Sequence, residues 1–242
     1  MTVFDDACGS GGGAPPPRAE EILAAVPRAP DADPAARMAE ALSQLSQRGL
    51  PAAGRRLCLK AIAPDDPHWQ RWVVGTFLAD HACYPRPADK VQFDKLSRAM
   101  RAFPQGFRCW WLEHPSAGWL PVGYSGWHPV SPAQFETLTD PSGASTGRSV
   151  EPLALVDPTG PYVYVFNYSV IAPLRKSPVS RDLLGALAED LERVRPRGLS
   201  AITVSADGAR VAERLGMKRV RPLTAAGGAD EVYCVRLKAH PR

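Results

Sequence analysis

Apolar and polar positions alternate with two distinct periods along the chain, and the switches between them predict the order of elements. Residues 34–48 carry Ala36, Met38, Ala39, Leu42 and Leu45 at helical spacing, and Gly49 follows as a stop, so an accessory helix is expected over residues 34–50. Residues 56–63 have strand composition, and Pro64, Asp65 and Asp66 cap a helix expected over residues 68–83. A second helix is expected over residues 88–102, with Val91, Leu96 and Met100 on one face and Phe93 beside them, until Pro104 and Gly106 end it. Two strands over 107–113 and 119–127, joined by the breakers of residues 114–118, read as an antiparallel hairpin.

Residues 129–160 read as an inserted loop because of their prolines and the polar run 139–149. Then comes the strongest strand signal, YVYVFNYSVI over residues 162–171, in which aromatic and β-branched residues run without a breaker. Leu183, Leu184, Leu187, Leu191 and Val194 repeat at the three-and-four spacing of a buried helix face over residues 179–194. A strand over 199–204, a short helix over 207–215 stopped by Gly216, and a last strand over 231–237 complete the order. The fold class is α/β (α+β), with one domain expected over residues 51–242. Residues 1–33, rich in Gly, Pro and Ala, hold too few apolar residues to order themselves and are expected to form a disordered N-terminal extension.

Composition narrows the function classes. A length of 242 residues with 45% hydrophobic content suits one sizeable core plus an extension. No apolar run is long enough to span a membrane, and the N-terminus lacks a basic-then-apolar leader, so a cytoplasmic protein with no membrane partner is expected. The five cysteines are scattered and never spaced as CxxC, which predicts reduced thiols; His81 and Cys83 alone make no metal site. A net charge of +4, interspersed with acids, gives no footprint for nucleic acid.

Charge does cluster at one joint. Between the strand of 162–171 and the helix of 179–194, Arg175, Lys176 and Arg181 surround a helix start whose backbone N–H groups face outward, with Ser177 and Ser180 as hydroxyl donors. Such a joint suits an anion such as a diphosphate, and it equally describes a solvated helix start. Other candidates are weaker. Trp110, Trp111, Trp119, Tyr124 and Trp127 either line a pocket or pack a core, while Glu113, His114 and His128 are candidate bases.

Two segments resemble the GNAT superfamily of acyl-CoA N-acyltransferases. Residues 175–184, Arg-Lys-Ser-Pro-Val-Ser-Arg-Asp-Leu-Leu, stand where that family has an Arg/Gln-x-x-Gly-x-Gly/Ala turn opening a helix, and residues 205–217 are similar to its short helix with a Leu-Gly-Phe ending, Met217 replacing Phe. The resemblance implies a mixed, mostly antiparallel central sheet flanked by helices. It implies acyl-CoA or acetyl-CoA as co-substrate, held by Val170, Ile171, Ala172, Arg175, Lys176, Ser177, Val179, Ser180, Arg181 and Ser205. Asn167 and Tyr168 become the candidate catalytic residues, and the acceptor a small-molecule or peptide amine, in a monomer or homodimer. The departures are Pro178, which has no N–H, and Ser180 in place of small glycines, and Ala212 where many members have a tyrosine acid. They keep two alternatives open, a non-catalytic binding or interaction module and an acyl-carrier-protein donor docked on the basic turn.

Overall fold

The computed structural model describes residues 57–61, 69–84, 89–114, 118–142, 156–223 and 230–237. The expected disordered extension, the accessory helix of 34–50 and residues 143–155 of the expected loop lie outside the described residues. In chain order the elements are β1 (Leu57–Ala61), α1 (Trp69–Cys83), α2 (Phe93–Ala102), β2 (Phe107–His114), β3 (Gly118–Val130), α3 (Pro132–Thr139), β4 (Tyr162–Val170), α4 (Pro178–Val194), β5 (Gly198–Thr203), α5 (Ala206–Arg214), β6 (Lys218–Pro222) and β7 (Glu231–Arg236). The strand order is β1-β2-β3-β4-β5-β7-β6, with β4 and β5 parallel and the β1–β2, β5–β7 and β6–β7 pairs antiparallel. Two compact units share this chain: one runs to Tyr124 and takes Ser169–Arg181, the other comprises Ser125–Tyr168 and Asp182–Arg242.

In the first unit, α1 buries Trp72, Val73, Leu78 and Ala79. Its Gly75 lies against the Trp111 ring of β2, and Trp72 meets that ring edge-on at a centroid distance of 5.8 Å. The α2 helix buries Leu96, Ala99 and Met100. It begins at Phe93 rather than at 88 as its pattern suggested, because the Val91 N–H is held at 2.8 Å by the Asp80 carboxylate and Gln92 remains extended as the N-cap. Phe93 is 39% exposed, off the buried face.

In the second unit the stretch expected to be loop carries α3. Ser131 and Gln134 form a reciprocal capping box, Ser131 Oγ accepting from the Gln134 N–H at 3.2 Å and Gln134 Oε1 from the Ser131 N–H at 2.9 Å, with Pro132 in the first turn. Proline here starts a helix instead of breaking one. Phe135 and Leu138 pack with Val130 and Tyr164, and Phe135 stacks on Tyr162 at 4.2 Å. Sequence pattern also missed β6, whose residues Lys-Arg-Val-Arg-Pro are mostly charged and whose pairing with β7 slips between Arg219 and Arg221, so no alternation is visible. The α4 helix buries Leu183, Leu187 and Leu191 as its spacing predicts, although Val194 at its end is 42% exposed.

Candidate functional site

The basic joint of the sequence forms a tightly bonded turn in the first unit. After β4, the Ile171 N–H donates to Val122 O at 2.9 Å, and Ala172–Leu174 make one 3-10 turn closed by the Leu174 N–H on Ile171 O at 3.0 Å and the Arg175 N–H on Ala172 O at 3.2 Å. Lys176 then adopts φ 63, in the left-handed region. A lysine there is strained by about 1 kcal/mol or more and stays only where its surroundings impose it. The Ser177 hydroxyl donates to Leu174 O at 2.6 Å, so its proton turns back into the 3-10 turn and away from the helix. Pro178 opens α4, and the Arg181 N–H closes on Ser177 O at 3.3 Å. Helix geometry gives the N–H groups of such a first turn no intrahelical acceptor, although Pro178 has none to offer and that of Ser177 donates to Leu174 O at 3.2 Å. Lys176 and Arg181 are exposed, and Val179 and Ser180 half-buried.

Arg175 behaves differently from its neighbours. Its Nε donates to Val170 O at 3.2 Å and a terminal nitrogen donates to Cys83 O, at the end of α1, at 3.0 Å. That last turn of α1 is itself held by a buried carboxylate. Asp80 Oδ1 accepts from the Tyr124 hydroxyl at 2.7 Å and Oδ2 from the Val91 N–H at 2.8 Å. Burial pushes the Tyr124 phenol well above its usual range, and the Asp80 charge reinforces the shift. Burial likewise pushes the Cys83 thiol up to about 12, with the Ser169 hydroxyl offsetting part of the effect. Sequence reading did not single out Asp80. The available signal was its place on the α1 face of Trp72, Thr76 and Cys83, all buried, where a carboxylate requires partners.

The second unit holds the other candidates. Its β4–β5 ladder consists of Val163/Leu199, Tyr164/Ser200 and Val165/Ala201 and stops there, although β4 continues to Val170 and β5 to Thr203. Phe166, Asn167 and Tyr168 lie on β4 just past that point and are half-buried, between stretches that are fully buried. Ser205 is exposed and caps α5, accepting from the Gly208 N–H at 3.1 Å. Gly216 at φ +80 then ends the segment, and the Met217 N–H returns to Ala212 O at 3.0 Å.

Of the hairpin aromatics, Trp110, Trp111, Tyr124 and Trp127 are buried, and the side chain of Trp119 lies outside the described residues. His128 is 1% exposed, its ring 5.4 Å from that of Tyr164, and burial lowers its pKa to about 4. The folded state therefore holds His128 neutral while the unfolded chain protonates it near pH 6.5. Stability from this site is complete above pH 6.5 and is lost as the pH falls toward 4, by about 2 kcal/mol between pH 7 and pH 5. Urea unfolding across that range checks this, and His128→Leu flattens the profile. Among the described residues no group of His, Cys, Asp and Glu could hold a metal ion, and no helix is long and apolar enough to cross a membrane.

No protein-family model matches the sequence, and no curated protein sequence matches it. Solved structures do match. A chain of the NatC complex bound to Gag peptide and CoA superposes with a TM-score of 0.52 at 12% identity, covering 76% of this chain and 99% of that one. The loading GNATL domain of CurA from Lyngbya majuscula gives 0.52 at 14%, covering 75% and 98%. The fold is that of the GNAT superfamily. A third solved structure, the GphF GNAT-like decarboxylase in complex with isobutyryl-CoA, gives 0.50 at 17% identity, covering 75% and 98%. Of the two GNAT-like segments, Arg175–Ser180 forms the β4–α4 turn and 205–217 forms α5 with its glycine stop.

Proposed function

We propose that this chain is an acyl-CoA-dependent N-acyltransferase whose β4–α4 turn receives the diphosphate of the donor. The observation that carries the reading is Lys176, held at φ 63 two residues ahead of the Pro178 start of α4. A left-handed lysine in an exposed basic turn, in a fold shared with solved structures bound to CoA and isobutyryl-CoA, supports an anion site at this turn. Lys176 and Arg181 supply charge, and Ser177, Val179 and Ser180 complete the turn. Pro178 removes one amide donor but presets the helix start. The thioester arm runs past the backbone of Val170–Ala172, where the Ile171 N–H is already engaged by Val122 O and contributes shape rather than a donor.

The chemistry is direct transfer. A neutral amine, from a small molecule, an amino-acid derivative or a peptide, attacks the thioester carbonyl carbon. The C–S bond breaks as the C–N bond forms, and the proton lost by the amine neutralises the departing thiolate. Asn167 and Tyr168, next before the Ser169–Ala172 segment along the chain, orient the amine or a water.

The second reading is a CoA-binding module without catalysis, favoured by Ala212, buried at 2% where many GNAT members have a tyrosine acid. Melting the protein with acetyl-CoA, a longer acyl-CoA and free CoA tests donor binding. At ten times its Kd a ligand contributes about 1.4 kcal/mol, or about 3–6 °C in a chain of this size. No shift with any of the three sinks both readings. A shift with no thiol released in the presence of a panel of amines leaves only the module.

A further inference from the structure

Arg175 carries the charge expected of a phosphate ligand, yet two of its donors point into the protein. They meet the carbonyl of Val170, the last residue of β4, and that of Cys83, the last residue of α1. The final carbonyls of a helix have no intrahelical donor and form the negative end of its dipole, so a guanidinium there satisfies both hydrogen bonding and charge. The receiving end does not give. Asp80, one turn earlier in α1, is fully buried and bonded to the Tyr124 hydroxyl and the Val91 N–H, which ties the helix end to β3 and to the approach of α2.

From these contacts we propose that Arg175 is a positioning residue: it clamps the exit of β4 to the end of α1 and so sets the shape of the Lys176–Arg181 turn. Contact with the anion then belongs to Lys176, Arg181 and the α4 backbone. With the Arg175 side chain drawn back to Val170, five residues earlier, the chain has only Lys176 and Ser177 in which to reverse toward Pro178, and Lys176 takes the left-handed conformation. Geometry makes arginine necessary here. A planar guanidinium presents two donors at a fixed angle to two separate carbonyls, whereas a lysine ammonium offers the charge without the fork. The ligand side of this inference rests on the acyl-CoA reading above; the clamp itself does not.

The test uses the full chain with R175K, R175A, K176A and R181A. It measures the melting temperature of the unliganded protein, and the Kd for CoA from low to high salt. For a positioning residue, R175K and R175A both melt lower than the parent and bind CoA about tenfold more weakly, a change of about 1.4 kcal/mol, with the salt dependence of Kd unchanged. K176A and R181A melt like the parent and flatten that salt dependence, since they remove screened charge–charge contacts. Parent-like affinity in R175K, or a flattened salt dependence in R175A, overturns the proposal in favour of a phosphate ligand. Lower melting with unchanged affinity also overturns it, leaving a purely structural arginine. A parent protein that binds no CoA sinks the acyl-CoA reading alone. The melting comparison then decides the clamp: lower values confined to the Arg175 variants support it, and equal values overturn it.

Discussion

Replacing Asp80 with alanine lowers the stability of the protein by about 4 kcal/mol, the largest loss expected from any single polar substitution in the first unit. The carboxylate is fully buried and accepts from the Tyr124 hydroxyl and the Val91 N–H. Alanine leaves both donors without their acceptor, at about 1–3 kcal/mol each, and adds a small void. Asn keeps one acceptor oxygen and the volume, so Asp80→Asn should cost about half as much, with the Tyr124 hydroxyl rotating to accept from the amide. Tyr124→Phe alone should cost about 1–3 kcal/mol, and in that background Asp80→Ala should cost less than in the parent, because one of its two orphans is gone. Urea unfolding followed by tryptophan fluorescence measures the cycle. Additive losses, or an Asp80→Ala loss below about 1 kcal/mol, would show that the pair is not coupled as its geometry requires.

Gly75→Ala should cost about 3 kcal/mol, although alanine is the better helix former. A Cβ at position 75 would stand 2.2 and 2.3 Å from two ring carbons of Trp111. That ring has no space to retreat into: Trp111 is 1% exposed and held edge-on by Trp72. Helix propensity returns about 1 kcal/mol, and overpacking takes away more than it returns. The specific signature is rescue. Trp111→Leu alone is destabilising, yet Gly75→Ala should be close to neutral in that background, because the methyl fills space the indole has left. The same denaturation midpoints read both effects, and an undiminished Gly75→Ala loss in the Trp111→Leu protein would refute the steric account.

Where local pattern and packing agree, the elements were legible in the sequence. Of the expected α4 face, Leu183, Leu187 and Leu191 are buried while Leu184 is half-buried and Val194 exposed, and β4, β5 and β7 begin and end within a residue or two of their expected limits. The failures share a cause. Pro132 reads as a loop residue until its partner Ser131 is recognised as an N-cap, and β6 reads as a charged connection because a bulge destroys its period. At the turn, sequence located the basic residues but gave Arg175, Lys176 and Arg181 one role. The difference between them is a matter of which carbonyls lie within reach of Arg175, and Cys83 is 92 residues away along the chain. Asp80 was hidden for the same reason, since Tyr124 is 44 residues distant.

The buried thiols of the first unit have a consequence for any chemistry with thioesters. Cys83 and Cys109 both sit near a pKa of about 12, raised chiefly by burial. Exchange with a thioester requires a thiolate, so at neutral pH neither sulfur competes for an acyl group while its segment stays folded. The same silence makes them internal clocks. Alkylation of Cys83 or Cys109 proceeds only when the end of α1 or the middle of β2 opens, and labelling rates at the two positions time those excursions separately without any added probe.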